Sequence, residues 1–221
     1  MARTIKHINN IPFMGDKNLL EVSNTKSFSQ MIYELISNST PNDKQLKLFN
    51  LILNLSIDHG EDTPSAIETI KLAEQNETIS ESVAAGIKKI DNVHGGAIEP
   101  AMELIYKIEK DDLDIKIEVQ NLISSGQKIP GFGHRIYEVD PRSSLIFKTA
   151  TELRIEQKYI QIANKVSEEI SNIKNKKLPV NIDGAIAAIL CSFGWKPNLG
   201  KAVFIIARVP GLCGQYLNHS S

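Results

Sequence analysis

Apolar positions recur along most of the chain at three- and four-residue intervals, the spacing of one face of an α-helix. Ile79, Val83, Ile87, Ile90 and Val93 follow it in "ISESVAAGIKKIDNV", with Ser80 as the expected cap. Tyr159, Ile162, Val166, Ile170 and Ile173 repeat it ahead of the lysine-rich "IKNKKLP". "FSQMIYELI" reads as a helix capped by Ser27 and ending near Asn38, and "QLKLFNLILNLSI", apolar on nearly every side, reads as a helix buried all round. After the break at Gly95 and Gly96, "IEPAMELIYKIEK" and "LDIKIEVQNLISSG" resume the pattern, the second closed by Gly126. "AIAAILCSF" and "LGKAVFIIARV" are two more apolar helices, each ending near glycine or proline. Period-two alternation is absent except near the N-terminus, where residues 1–26 mix short extended pieces with turn residues. The pattern predicts an all-α protein. A small helical lobe over residues 105–180 is expected, inserted into a larger one formed by residues 1–104 and 181–221.

Composition narrows the function without naming it. The 221 residues, 42% hydrophobic, suffice for a substantial core. Twenty-five basic against 26 acidic residues leave a formal charge of -1, so no global field draws the chain to nucleic acid or to an anionic membrane, and any anion must be caught locally. No apolar run approaches the roughly 20 residues needed to cross a bilayer, and the start lacks the apolar stretch of a secretory signal. Cys191 and Cys213 lie in apolar contexts without metal-binding spacing and read as reduced thiols. A cytoplasmic protein is the expectation.

The polar residues that could carry chemistry sit at helix ends and breaks. Asp140-Pro141 is a helix start, aspartate accepting backbone N–H bonds and proline suiting the first turn. Arg142 then opposes the helix dipole, which makes sense where an anion binds beside it. Asp183 in "VNIDGAIAAIL" has two readings, an N-cap or a base acting on a substrate proton. His94 on an apolar face is a core histidine by itself, and His59 could donate to the last carbonyls of the helix before it. Arg208, following the apolar run "FIIA", must meet an anion if it is buried. Asp58, His59, Glu61 and Asp62 cluster in sequence but lack helical ligand spacing, so no metal site is expected. "GFGHR" lacks the third glycine and the preceding strand of a dinucleotide fingerprint. Taken together, arginines recognise carboxylates, neutral histidines donate to a carbonyl or enolate oxygen, and an aspartate can exchange a proton with carbon.

In order and spacing, "SIDHGEDTPSA", "VHGGAIEPAM", "GFGHRIYEVDPR", "VNIDG" and "IARVPG" resemble the signature segments of the citrate synthase superfamily. "DHGEDTPSA" and Ile98 look more like citryl-CoA lyases, including the lyase domain of ATP-citrate lyase; His94 and "HRIYEVDPR" are equally like citrate synthases. The resemblance implies a dimeric two-domain helical enzyme that cleaves citryl-CoA to acetyl-CoA and oxaloacetate, or condenses an acyl-CoA such as acetyl-CoA with oxaloacetate to give citrate or 2-methylcitrate. By motif, His94 would hold the thioester carbonyl, Asp183 would move the proton on the acetyl carbon, and His134 would hold the oxygen of the oxaloacetate carbonyl or citryl hydroxyl. His59, Arg142 and Arg208 would bind carboxylates. The backbone of Ile129, Pro130, Gly131, Phe132 and Gly133 would receive adenine, with Lys174, Lys176 and Lys177 near the phosphates. Coenzyme A enters as a substrate thioester, no permanent cofactor is expected, and a citrate-activating ligase is a candidate partner. Citrate synthases contribute a further arginine from the partner subunit, beyond the position of Arg208, and "GLCGQYLNHSS" contains none, so a CoA-binding pseudoenzyme or complex subunit is a further alternative.

Overall fold

The computed structural model describes residues 3–90, 95–134 and 137–220. The chain divides into two compact units, Met1–Leu51 and Ile52–Ser221.

The first unit opens with a three-stranded antiparallel meander, β1 (Ile5–Ile8), β2 (Ile11–Met14) and β3 (Lys17–Asn18), in sequence order. Asn9 and Asn10, both left-handed at φ 50° and 64°, make the two-residue turn that sets Ile5 opposite Met14. After the short α1 (Leu19–Ser23), α2 (Phe28–Ser37) is capped by Ser27, whose hydroxyl accepts from the Gln30 amide, and is ended by Asn38 in the left-handed region, both as expected. Glu34 on α2 is fully buried beside Lys26, Lys17 and Arg3. Burial alone would raise its pKa, but the Lys26 hydrogen bonds and charge outweigh that and hold it below the usual carboxylate value.

Helix α3 (Asp43–Leu55) corrects one expectation. Leu48, Phe49 and Ile52 are buried, while Asp43, Lys47, Asn50 and Asn54 are exposed. Those four recur at intervals of four, three and four residues, so the helix has a continuous polar stripe and is amphipathic rather than buried all round.

The second unit contains α4 (Pro64–Glu74), α5 (Ile79–Lys88), α6 (Ile98–Lys110), α7 (Ile115–Ser124), α8 (Pro141–Glu152), α9 (Lys158–Lys174), α10 (Ile182–Ser192) and α11 (Asn198–His219). Helix α10 is its axis. Every residue from Ile182 to Cys191 is buried, and the helix packs on α6, α8, α9 and α11. Each fully buried Ile or Leu of such a helix contributes about 1.5–3 kcal/mol. A second cluster, Leu104, Ile108, Val119, Val166 and Ile170, joins α6, α7 and α9, and Ile129 and Phe132 rest against it.

Three local expectations change here. α5 starts at Thr78, not at Ser80: the Thr78 hydroxyl accepts from the Glu81 amide while the Glu81 carboxylate accepts from the Thr78 amide, a reciprocal pair that Ser80, already inside the first turn, cannot make. α11 continues through Pro210 to His219, although proline cannot donate a helix bond at its own position. α4 was not expected, because Ala66 and Ala73, both buried, dilute the apolar stripe that would have marked it. The architecture is all-α apart from the N-terminal meander. Among the described residues, no helix is long and apolar enough to cross a membrane.

Candidate active site

Two chain segments meet at the N-terminus of α10. Gly131 and Gly133, at φ 88° and 86°, turn the "IPGFG" loop so that its backbone runs beside residues 179–181. The Gly133 amide donates to the Pro179 carbonyl at 2.7 Å, the Asn181 amide to the Gly131 carbonyl at 3.1 Å, and Phe132 bridges Val180. The approach demands glycine on both sides: a Cβ on Gly184 would lie 2.2 Å from the Gly131 carbonyl oxygen. Gly184→Ala is therefore expected to cost about 1–3 kcal/mol of stability through overpacking, measurable by urea denaturation. Asn181 is the N-cap, its side-chain oxygen accepting from the Asp183 and Gly184 amides. The spacing-based reading of Asp183 as the cap is thereby corrected: two residues beyond the cap, its side chain is left for other work.

A cavity of about 430 Å³ opens at this point, lined by His59, His134, Arg142, Asp183, Phe204 and Arg208, with Asp62 and Gly95 at its wall. Asp183 is buried, and its Oδ1 has no hydrogen-bond partner among the described residues. Burial pushes its carboxyl up from 3.8 to about 6, against the pull of Arg142 and Arg208. That value suits a group that must both take and give a proton near neutrality.

Arg142 finds its anion in the chain itself. Asp140, capping α8 as expected, accepts from the Arg142 amide and Nε at 3.0 Å each and from its Nη2 at 2.8 Å, and also from the Ile182 amide at 3.1 Å. This fully buried carboxylate thus ties the starts of α8 and α10 together and aims the rest of the guanidinium into the cavity. Burial would raise its pKa, but its bonds to Arg142 hold it below the usual carboxylate value.

Arg142 Nη1 lies 3.1 Å from His59 Nδ1 and Nη2 lies 3.4 Å from His134 Nε2. His59 therefore does not serve the carbonyls of α3. Its burial and the neighbouring Arg142 and Arg208 charges lower its pKa, keeping the ring neutral with Nδ1 as the acceptor. His134 Nδ1 accepts from the Tyr137 amide at 3.2 Å, which puts the ring proton on Nε2, facing the Arg142 donor.

Arg208, 3% exposed, donates through Nε to the Ser56 carbonyl at 2.9 Å and stacks 4.7 Å from the Phe204 ring. Its Nη1 is buried with no hydrogen-bond partner among the described residues. Asp58, held by the Gly60 amide and by Gln215 Nε2 at 3.1 Å each, partly balances its charge. The arginine thus retains a free donor for a carboxylate oxygen.

A second hollow of about 500 Å³ lies on the other side of the loop, lined by Ile129, Pro130, Gly131, Phe132 and Gly133, and shares Gly133, Asn181 and Asp183 with the first. Lys174 borders it, as does Lys128, a residue signalled only by its place beside the glycine loop. Lys177 instead pairs with Glu138 at 3.3 Å and lines a separate hollow with Ser167 and Ser171, and Lys176 borders neither cavity. His94 lies outside the described residues. Sequence reasoning brought together His59, His134, Arg142, Asp183 and Arg208 but missed Asp140 as the partner of Arg142 and Asn181 as the cap; the "DPR" and "NID" spacings were the available signals.

The chain is 34% identical to the citryl-CoA lyase of Hydrogenobacter thermophilus, whose structure superposes with a TM-score of 0.93 over 99% of this chain and 86% of that one. The citrate synthase of Thermotoga maritima shares the fold, at 24% identity and a TM-score of 0.72 over 88% of this chain and 54% of that one. Among curated proteins, citrate synthase of Haloferax volcanii is 24% identical over 181 residues, 80% of this chain and 47% of that protein. A probable ATP-citrate synthase of Dictyostelium discoideum is 30% identical over 189 residues, 78% of this chain and 30% of that protein. The chain thus spans half or less of the length of these curated relatives. The family described as citrate synthase, C-terminal domain, matches residues 1–221, and the chain belongs to that family.

Proposed function

We propose that the protein is a citryl-CoA lyase-type enzyme, cleaving citryl-CoA to acetyl-CoA and oxaloacetate. The observation that carries the reading is a single cavity in which a buried carboxyl poised at about 6, an arginine donor without a partner among the described residues, and Arg142 beside His59 and His134 converge, a set that suits the oxygen and carbon groups of a polycarboxylate. The 34% identical citryl-CoA lyase supports the lyase direction. In this reading Arg142, Arg208 and His59 hold the carboxylates and His134 holds the reacting oxygen. His94 would polarise the thioester carbonyl, as the family resemblance implies. Cleavage breaks the bond between the carbinol carbon and the acetyl carbon; the hydroxyl proton passes to His134 once its ring has shifted to the tautomer with Nε2 unprotonated, the electron pair passes to the thioester enolate, and protonated Asp183 delivers its proton to carbon. The hollow behind the glycine loop takes the adenine, with Lys174 and Lys128 within the same wall as cations for the phosphates. Residues 105–180 then form the lobe that carries coenzyme A, in a homodimer that acts with a citrate-activating ligase.

A second reading, citrate synthase, is favoured by one specific feature: with the Tyr137 amide on Nδ1, His134 carries its proton on Nε2, the form that holds a keto oxygen, whereas taking a hydroxyl proton requires the other tautomer. Purified protein supplied with citryl-CoA should release oxaloacetate faster than free thiol. Supplied instead with oxaloacetate and acetyl-CoA, rapid thiol release without oxaloacetate formation from citryl-CoA would sink the lyase reading in favour of the synthase. Silence in both assays, with coenzyme A binding retained, would leave a CoA-binding subunit.

A further inference from the structure

The two groups that must act in concert on the substrate, His134 and Asp183, sit on different segments: one on the loop after Gly133, the other in the first turn of α10. One side chain joins them. Asn181 accepts through Oδ1 from the Asp183 amide at 3.0 Å and the Gly184 amide at 3.2 Å, and donates through Nδ2 to the Gly133 carbonyl at 3.0 Å, the peptide unit that leads into His134.

Asn181 lines both hollows of the site. Its amide end does something that an N-cap has no need of, since serine, threonine or aspartate caps a helix as well with oxygen alone. The rest of the contact is built from backbone: the Asn181 amide on the Gly131 carbonyl, the Gly133 amide on the Pro179 carbonyl, and the close approach of Gly131 to Gly184. These fix the loop as far as Gly133. Among the described residues, only the asparagine Nδ2 reaches the carbonyl on its far side, just before His134.

We infer that Asn181 is a positioning residue, setting His134 against Asp183 through the amide bond to the Gly133 carbonyl. The inference rests on the assignment of His134 and Asp183 as the proton-transferring pair. Removal of Nδ2 leaves the cap, the backbone contacts of the glycine loop and Asp183 in place but frees the peptide that orients the imidazole.

The test uses Asn181→Ser and Asn181→Asp, both of which keep a capping oxygen and lose the donor. Nitrogen-15 spectra of the histidine rings, assigned with His134→Gln, should show His134 as one tautomer in the wild-type protein and as a mixture in both variants. Melting temperatures should stay within about 4 °C of wild type, the shift associated with a ΔΔG of up to about 1 kcal/mol. In whichever direction the wild type turns over, kcat should fall about 10- to 100-fold, the cost that slight misplacement of a reacting group carries, with KM for the acyl-CoA within about threefold. An unchanged His134 spectrum in both variants overturns the inference, as does a loss confined to melting temperature, which would make Asn181 a cap and nothing more. A wild-type protein inactive in both directions defeats the proposed function, while the tautomer measurement still decides the role of Asn181.

Discussion

Asp183→Asn is expected to slow turnover by orders of magnitude and, at the same time, to make the protein more stable at pH 8. The carboxyl is buried with one oxygen unpartnered among the described residues, and burial has pushed it from 3.8 to about 6. The sign follows from proton binding: between these two values the unfolded chain has released its proton and the folded chain still holds it, so stability falls as pH rises from about 4 through about 6 and stays lower above that. At about 1.4 kcal/mol per pH unit, the penalty carried at pH 8 is about 3 kcal/mol. Asparagine has nearly the same shape and no charge, so urea denaturation should find the variant more stable than wild type at pH 8 by up to that amount and nearly equal at pH 4. Activity should fall by about 10²- to 10⁴-fold, the usual contribution of a positioned acid or base. A variant less stable than wild type at pH 8 would show that Asp183 makes a structural bond, and an equally active one would remove it from the chemistry. The pH profile adds direction. Cleavage needs the protonated carboxyl to quench the enolate and should decline above about pH 6, whereas condensation needs the carboxylate and should rise through the same range.

What could be read in advance follows from which interactions are local. The α2 cap at Ser27, its stop at Asn38 and the α8 start at Asp140-Pro141 depend on residues adjacent in sequence, and all three stand as expected. Thr78 displaced Ser80 because the reciprocal bond with Glu81 spans three residues, and Asn181 displaced Asp183 because its side chain also answers to Gly133, 48 positions away. Helix α3 misled because counting apolar residues hides the narrow polar stripe of Asp43, Lys47, Asn50 and Asn54. The site was legible as a set of residue types, since "GFGHR…DPR" and "NID" concentrate unusual chemistry at helix starts. Its electrostatics were not. Arg142 had to be in space, against Asp140, His59 and His134, before its charge could be balanced. The division at residue 51, too, belongs to contacts between distant parts of the chain and has no mark in composition.

Arg142→Ala should destabilise the fold of the second unit strongly, and a second substitution separates that damage from the loss of substrate. The alanine leaves Asp140 fully buried with, among the described residues, the backbone amides at positions 142 and 182 as its remaining hydrogen-bond donors. Removing one partner of a buried ion pair costs about 3–5 kcal/mol, because the other charge stays behind in a poor solvent. The pair is part exposed on the arginine side, at 17%, which places the expected loss toward the lower end of that range. Asp140→Asn in the same molecule removes the stranded charge while keeping an oxygen for the Ile182 amide, so the double variant should recover stability relative to Arg142→Ala alone. It should not recover affinity for oxaloacetate. Titration calorimetry is expected to show oxaloacetate binding weakened by at least tenfold in both the single and the double variant, with coenzyme A binding nearly unchanged, since the hollow behind the glycine loop does not include Arg142. If the double variant regained oxaloacetate binding along with its stability, Arg142 would be a structural counter-ion of Asp140, and the carboxylate would have to be held by Arg208 and His59 without it.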